Sequence, residues 1–183
     1  MKTFKPRIKA RLRKNRQVLN KNIDNFFGWI KGAKLVELKE CNTEEDPVRP
    51  ELDNEFRTGY GRKIYGVEYQ EEIHAVMCFA YTNKIPKNVE ELEKLSTDAF
   101  LQSAMRDQAG GQIAIAYTVW SKKKGGGKLI VKEVFKKIKK SNHLNRLVTL
   151  SPLTEMATKF HTRNGAKLVQ INETTQNFEY KVL

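Results

Sequence analysis

Long hydrophobic runs are missing from this 183-residue sequence. No stretch approaches the roughly 20 apolar residues that a membrane-spanning helix needs, so no membrane partner is expected. Cysteine is scarce too. Cys41 and Cys78 allow at most one bridge and match no metal or redox spacing, so two reduced thiols and no metal centre are expected. The first residues, MKTFKPRIKARLRKNRQ, carry the charge of a signal peptide without its apolar segment, which argues against secretion and for a cytoplasmic location. The same acid-free leader also has the composition of a mitochondrial targeting segment. Acidic residues number 21 against 34 Lys and Arg, a formal net charge of +13. What is present suffices for a core: 39% hydrophobic and 9% aromatic residues exclude wholesale disorder. The length suits about one domain.

The charge is concentrated. Residues 1–21 hold nine basic side chains and no acid, and residues 122–140 hold nine lysines and one acid, Glu133. Such clusters attract polyanions, and binding through them weakens with salt. Nucleic acid, a phosphorylated cofactor or an anionic surface would each suit these two segments as a partner, the alternative being a solvated basic face. Residues 40–55 are the reverse, with Glu40, Glu44, Glu45, Asp46, Glu51, Asp53 and Glu55 beside Pro47 and Pro50. They read as an exposed acidic loop. The chain thus divides into a basic arm over 1–22 and one domain over 23–183.

Hydrophobic spacing predicts the elements. Val18, Ile23, Phe26, Phe27 and Ile30 share a helical face that ends at Gly32. A short strand over 34–40 precedes an irregular stretch, 41–62. KIYGVEY (63–69) and EIHAVMCFAY (72–81) are rich in β-branched and aromatic residues and predict a hairpin. A helix, or two short ones, fits 88–105. QIAIAYTVW (112–120) is the strongest strand, apolar enough to sit covered on both faces. A helix over 128–140 carries Ile130, Val131, Val134, Phe135 and Ile138 on one face, with Lys128, Lys132, Lys136 and Lys139 opposite. RLVTL (146–150) is a strand, Thr154 opens a helix over 155–163 that Asn164-Gly165 closes, and strands over 167–171 and 178–182 follow. The expected fold is mixed α/β (α+β), one mostly antiparallel central sheet flanked by helices.

Between the strongest strand and the lysine-striped helix lies SKKKGGGK. Glycines let a backbone turn sharply and expose its amides, and a helix start adds unpaired N–H groups and the positive end of a dipole. Together they suit a phosphate. A nucleotide-hydrolysing P-loop is excluded, because Leu129 follows Lys128 where Ser or Thr is required, and Lys122 stands at the position of the first Gly. A dinucleotide fingerprint fails at Ile130.

Lys122-Lys123-Lys124-Gly125-Gly126-Gly127, with Ile130 three residues on, resembles motif A of the Gcn5-related N-acetyltransferases (GNAT). The segment from Thr154 to Ala166 is similar to the motif B helix that follows in that family, with Ala157, Phe160 and Gly165 matching. His161 stands in place of the family's Tyr and Ala166 in place of its Phe, which marks a divergent member of the compact, basic kind expected among phage acetyltransferases.

The resemblance implies an acetyl-coenzyme A-dependent, or other acyl-CoA-dependent, N-acyltransferase whose cofactor lies between splayed fourth and fifth strands. It implies that the backbone of Tyr117, Thr118 and Val119 would hold the pantetheine, and that Lys122, Lys124, the amides of Gly125, Gly126 and Gly127, and Lys128 would hold the pyrophosphate. His161, with an imidazole pKa near about 6.5, would protonate the leaving thiolate, and Ser151 would make a polar contact near the sulfur; simple packing is the other reading of His161. No general base stands out, since Glu68, Glu71 and Asp107 read as surface carboxylates, His74 as a core residue and His143 as a loop residue. The acceptor is an amine, on or bound to nucleic acid in the favoured version. A small-molecule acceptor would want an acidic pocket, which 40–55 could supply. A basic nucleic-acid-binding protein that keeps the scaffold without the chemistry is the rival reading.

Overall fold

Near-continuous apolar strands build the centre of the sheet, and the hairpin forms where the sequence predicts it. In the computed structural model, which describes residues 28–106 and 110–180, β1 (Lys34–Leu38), β2 (Lys63–Tyr69), β3 (Glu72–Thr82), β4 (Ile113–Ser121), β5 (Arg146–Thr149), β6 (Ser151–Pro152), β7 (Ala166–Ile171) and β8 (Thr175–Tyr180) form one sheet. Its order is β1-β2-β3-β4-β5-β8-β6, with β7 paired to β8. The β2/β3, β3/β4, β5/β8, β6/β8 and β7/β8 pairs are antiparallel, and β4/β5 is parallel. The mixed, mostly antiparallel architecture is therefore as expected.

The chain divides into two compact units, Met1–Lys34 and Leu35–Leu183. In the first, residues 28–32 are helical and the Ala33 amide donates to the Trp29 carbonyl at 3.0 Å. The basic arm over 1–22, and Val18, Ile23, Phe26 and Phe27 with it, lie outside the described residues, as does Asp107.

Helices cover both faces of the sheet in the second unit. Among the described residues of this unit four are α-helical: α1 (Asn54–Thr58), α2 (Val89–Arg106), α3 (Gly126–Lys139) and α4 (Glu155–Arg163). Leu92 of α2 joins Ile64, Val76, Cys78, Ile115 and Val148 in the core of one face. Strand alternation sends the intervening residues to the other face, where α3 buries Leu129, Ile130, Val131, Val134 and Ile138. No helix among the described residues is long and apolar enough to cross a membrane.

The stretch 41–62, expected to be irregular, and the acid-rich 40–55 within and beside it, expected as an exposed loop, both depart from expectation. Two 3₁₀ turns (Thr43–Glu45 and Gly59–Gly61) and α1 give this stretch structure. Its acids are not all in water. Asp46 is 1% exposed and Arg57 is fully buried, joined at 2.9 Å. The Asp46 carboxylate also accepts from the Thr118 hydroxyl at 2.8 and 2.9 Å and from the Val48 and Arg49 amides at 2.9 and 3.2 Å. A carboxylate sent into the interior needs this many donors to offset lost hydration.

Candidate active site

β4 and β5 run parallel only from Ile113/Arg146 to Ala116/Thr149. The Leu150 amide makes a last bond to the Ala116 carbonyl at 2.9 Å, after which the chain swings away to pair Ser151 and Pro152 with Gln176 and Thr175 of β8. Pro152 has no N–H and cannot extend the ladder. β4 meanwhile carries a bulge at Tyr117, between Ala116 opposite Phe79 and Thr118 opposite Cys78, and continues to Ser121. The two strands part there. A cavity of about 720 Å³ fills the opening, walled by Tyr117, Thr118 and Val119 on one side and by Ser151, Phe160 and His161 on the other.

The β4 side is braced from behind. The Arg49 guanidinium, 5% exposed, donates to the Tyr117 carbonyl, and the Tyr117 ring meets Phe56 edge-on at 5.9 Å. The Thr118 hydroxyl is spent on Asp46. Of the three predicted backbone positions, all line the cavity, but the Tyr117 carbonyl already has a donor.

At the glycine end the helix starts two residues earlier than the sequence predicts, so Gly126 and Gly127 belong to α3 itself. Gly125 is the N-cap at φ +86°, a left-handed conformation that favours glycine. Gly126 packs so closely on β4 that a Cβ there would stand 2.2 Å from Ser121 Oγ. The Gly126 amide donates to the Lys123 carbonyl at 2.9 Å and the Leu129 amide to the Gly125 carbonyl at 3.0 Å. Gly127 and Lys128 remain as the first-turn donors that a helix cannot satisfy internally. Both line the cavity, with Lys123.

Two lysines are differently placed. Lys122 turns to Glu45, 2.7 Å away, and lines a second cavity of about 450 Å³ with Glu40, Cys41 and Trp120. Strand alternation is the reason: Lys122 still pairs through its amide with the His74 carbonyl at 2.9 Å, so its side chain leaves the face that Ser121 and Lys123 share. Lys124 is exposed and lines neither cavity.

At the opposite end, Ser151 and His161 meet. Ser151 Oγ lies 2.8 Å from His161 Nε2, and His161 Nδ1 lies 2.9 Å from Tyr180 Oη. The imidazole stacks on Phe178 with centroids 5.1 Å apart and is 5% exposed. Burial pushes its pKa down from 6.5 to about 4, so at pH 7 about one imidazole in a thousand carries the second proton. The expected near-neutral pKa is thereby corrected. His161 is a neutral base facing a hydroxyl. Thr149 Oγ1, which accepts the Phe178 amide at 3.1 Å, lies 3.1 Å from Ser151 Oγ and completes the chain. Tyr180 is the member that motif spacing did not show; a strand reading TQNFEY gives no hint of a phenol aimed at a helix 19 residues earlier.

Glu155 lines this cavity, whereas Glu68, Glu71, His74 and His143 do not. Glu68 and Glu71 sit in and beside the hairpin turn, His74 lies 3.8 Å from Glu72 at the same end, and His143 is exposed in the loop before β5.

No protein-family model matches this sequence, nor does the sequence of any curated protein. Solved structures do match. A GNAT-like decarboxylase, GphF in complex with isobutyryl-CoA, superposes with a TM-score of 0.60 at 9% identity, over 80% of this chain and 98% of that one. The fold is a GNAT fold. The loading GNATL domain of CurA from Lyngbya majuscula gives 0.58 at 11% identity, over 81% and 97%. A Bacillus subtilis acetyltransferase in complex with CoA gives 0.56 at 12% identity, over 82% and 99%. The element order β4–α3–β5–α4 on which the GNAT resemblance rests is thus present in three dimensions.

Proposed function

We propose that this chain is an acyl-CoA-dependent N-acyltransferase that passes an acyl group, acetyl in the simplest case, to an amine. One observation carries the reading: a single opening runs from the amides of Gly127 and Lys128, past the parted edge of β4, to the Ser151–His161 pair. Its volume of about 720 Å³ falls within the usual range for small-molecule sites, and its chemistry changes along its length. Lys123, Lys128 and the helix start suit a diphosphate, Val119, Val131 and Phe160 suit an apolar arm, and the hydroxyl–imidazole pair suits a reacting carbonyl. The binding of CoA or isobutyryl-CoA by GNAT-fold neighbours supports the same reading. When bound, an acyl-CoA supplies an activated thioester. The protein would align it along β4, flank it with Phe160, and move protons through His161 Nε2 and Ser151 Oγ.

Calorimetry with acetyl-CoA tests this. A Kd in the micromolar range, about −8 kcal/mol, is expected, weakened at least tenfold by Gly126→Glu. A wild-type protein that binds no acyl-CoA would refute the reading.

The rival, a nucleic-acid-binding protein on the same scaffold, draws support from α3, whose outer side exposes Lys128, Lys132 and Lys136, with Glu133 as its one acid, 2.7 Å from Lys136. The same lysines would also suit an acceptor presented on nucleic acid. Salt-dependent binding to DNA or RNA without any acyl-CoA affinity would favour the rival.

A further inference from the structure

We infer that Ser151 is a nucleophile that takes the acyl group covalently before the amine receives it; this rests on the acyl-CoA reading above. Three observations carry it. Ser151 Oγ stands 2.8 Å from His161 Nε2, within the reach that a nucleophile and its base require. His161 is itself oriented by a third group, Tyr180 Oη at 2.9 Å from Nδ1. With the ring proton on Nδ1 and directed at Tyr180, Nε2 presents its lone pair to the serine. Finally, Ser151 and His161 both line the acyl-CoA opening, at the point where β5 turns away from β4.

The arrangement is a nucleophile, a base and an orienting group in contact, the geometry that activates serine on unrelated folds. Nothing about it favours His161 as a standing acid. The ring is 5% exposed, stacked on Phe178 and met edge-on by Phe160, and its polar partners are the Ser151 and Tyr180 hydroxyls. Its neutral form is the one that can accept the Ser151 proton.

The step balances without further reagents. Ser151 Oγ bonds to the thioester carbonyl carbon as the C–S bond breaks; its proton passes to His161 Nε2 and from there to the departing sulfur, leaving an ester on Ser151 and a free thiol. The amine nitrogen then bonds to the ester carbon as the C–Oγ bond breaks. One amine proton returns through His161 Nε2 to Ser151 Oγ, leaving an amide and the original serine. Ser151 and His161 are catalytic residues in this scheme. Tyr180 is a positioning residue.

The test is to mix the full chain with acetyl-CoA and no amine, quench in acid, and weigh the intact protein, with calorimetry run alongside. One acetyl unit per chain is expected, located at Ser151 by peptide mass spectrometry, together with a burst of free thiol. Ser151→Ala should bind acetyl-CoA within about twofold of the parent and gain no acetyl. Ser151→Cys should carry the acetyl as a thioester cleaved by neutral hydroxylamine, a readout that a merely structural serine would not give. His161→Gln should slow adduct formation by roughly 10²–10⁴-fold, and Tyr180→Phe should slow it while leaving the affinity unchanged. Binding of acetyl-CoA and turnover of an amine with no acetylated protein at any time would overturn the inference and leave the N-acyltransferase reading intact. Absence of binding would overturn both.

Discussion

Removing the carboxylate of Asp46 should damage the protein more than any other single acidic substitution in the acid-rich stretch. Asp46 and Arg57 side chains are both 0% exposed and 2.9 Å apart. Deleting one member of such a buried pair leaves the other charge without compensation and costs about 3–5 kcal/mol. Arg57 would retain the Leu52 and Arg49 carbonyls at 2.8 and 2.7 Å and the Cys78 sulfur at 3.3 Å, which holds the loss toward the lower part of that range. Against this, Asp46→Ala also strands the Thr118 hydroxyl and the Val48 and Arg49 amides. For a domain of this size, 1 kcal/mol moves Tm by about 2–4 °C, so Asp46→Ala should lower it by about 6–20 °C. Urea denaturation followed by tryptophan fluorescence is the assay, because the Arg57 guanidinium lies 5.5 Å from the Trp120 ring centroid. The slope with urea should stay constant while the midpoint falls. Asp46→Ala combined with Arg57→Met should recover part of the loss, since an apolar replacement for the pair has no charge to bury. An Asp46→Ala protein within about 0.5 kcal/mol of the parent, the range of ordinary surface substitutions, would refute the account of the buried network. Acyl-CoA affinity should fall too. Arg49, whose amide bonds Asp46, is the donor that holds the Tyr117 carbonyl at the mouth of the opening.

Two further outcomes follow from single groups. His161 is neutral in the fold down to about pH 4, whereas the unfolded chain protonates it near 6.5, so its contribution to stability is complete above pH 6.5 and is lost as pH falls toward 4. The loss is on the order of 3 kcal/mol, and it should be missing from the difference between denaturation midpoints of His161→Gln at pH 7 and pH 4. On α3, if nucleic acid binds, Lys132→Glu and Lys136→Glu should each lower the slope of log affinity against log salt by about 1, as measured by fluorescence anisotropy. An unchanged slope would place the polyanion elsewhere.

What could be read in the sequence was whatever is signalled within about ten residues. Runs of β-branched, aromatic and apolar residues gave β2, β3 and β4, and Thr154, whose hydroxyl accepts the Ala157 amide at 3.2 Å, marked the start of α4 to the residue. Seven carboxylates between 40 and 55 hid the one that matters, because composition averages over neighbours while burial is decided by distant partners. Asp46 meets Thr118 72 positions later, and Arg49 meets Tyr117 68 positions later. Neither contact leaves a periodic trace.

The candidate site shows the same division, with a consequence for how it works. Ser151 and His161 could each be singled out, one at a strand end and one on a helix. Their contact depends on where β5 stops, and that in turn depends on Pro152, which cannot donate to a neighbouring strand. Were β5 to continue beside β4, Ser151 would enter the ladder, the opening would close, and His161 would pack against a strand instead of a hydroxyl. One proline at a strand end and one bulge at Tyr117 therefore do two jobs together: they part the strands far enough to admit a ligand, and they set the serine at the parting point within 2.8 Å of its base. It follows that restoring a backbone donor with Pro152→Val should draw β5 back toward β4, narrow the opening that residue 152 itself lines, and weaken acyl-CoA binding.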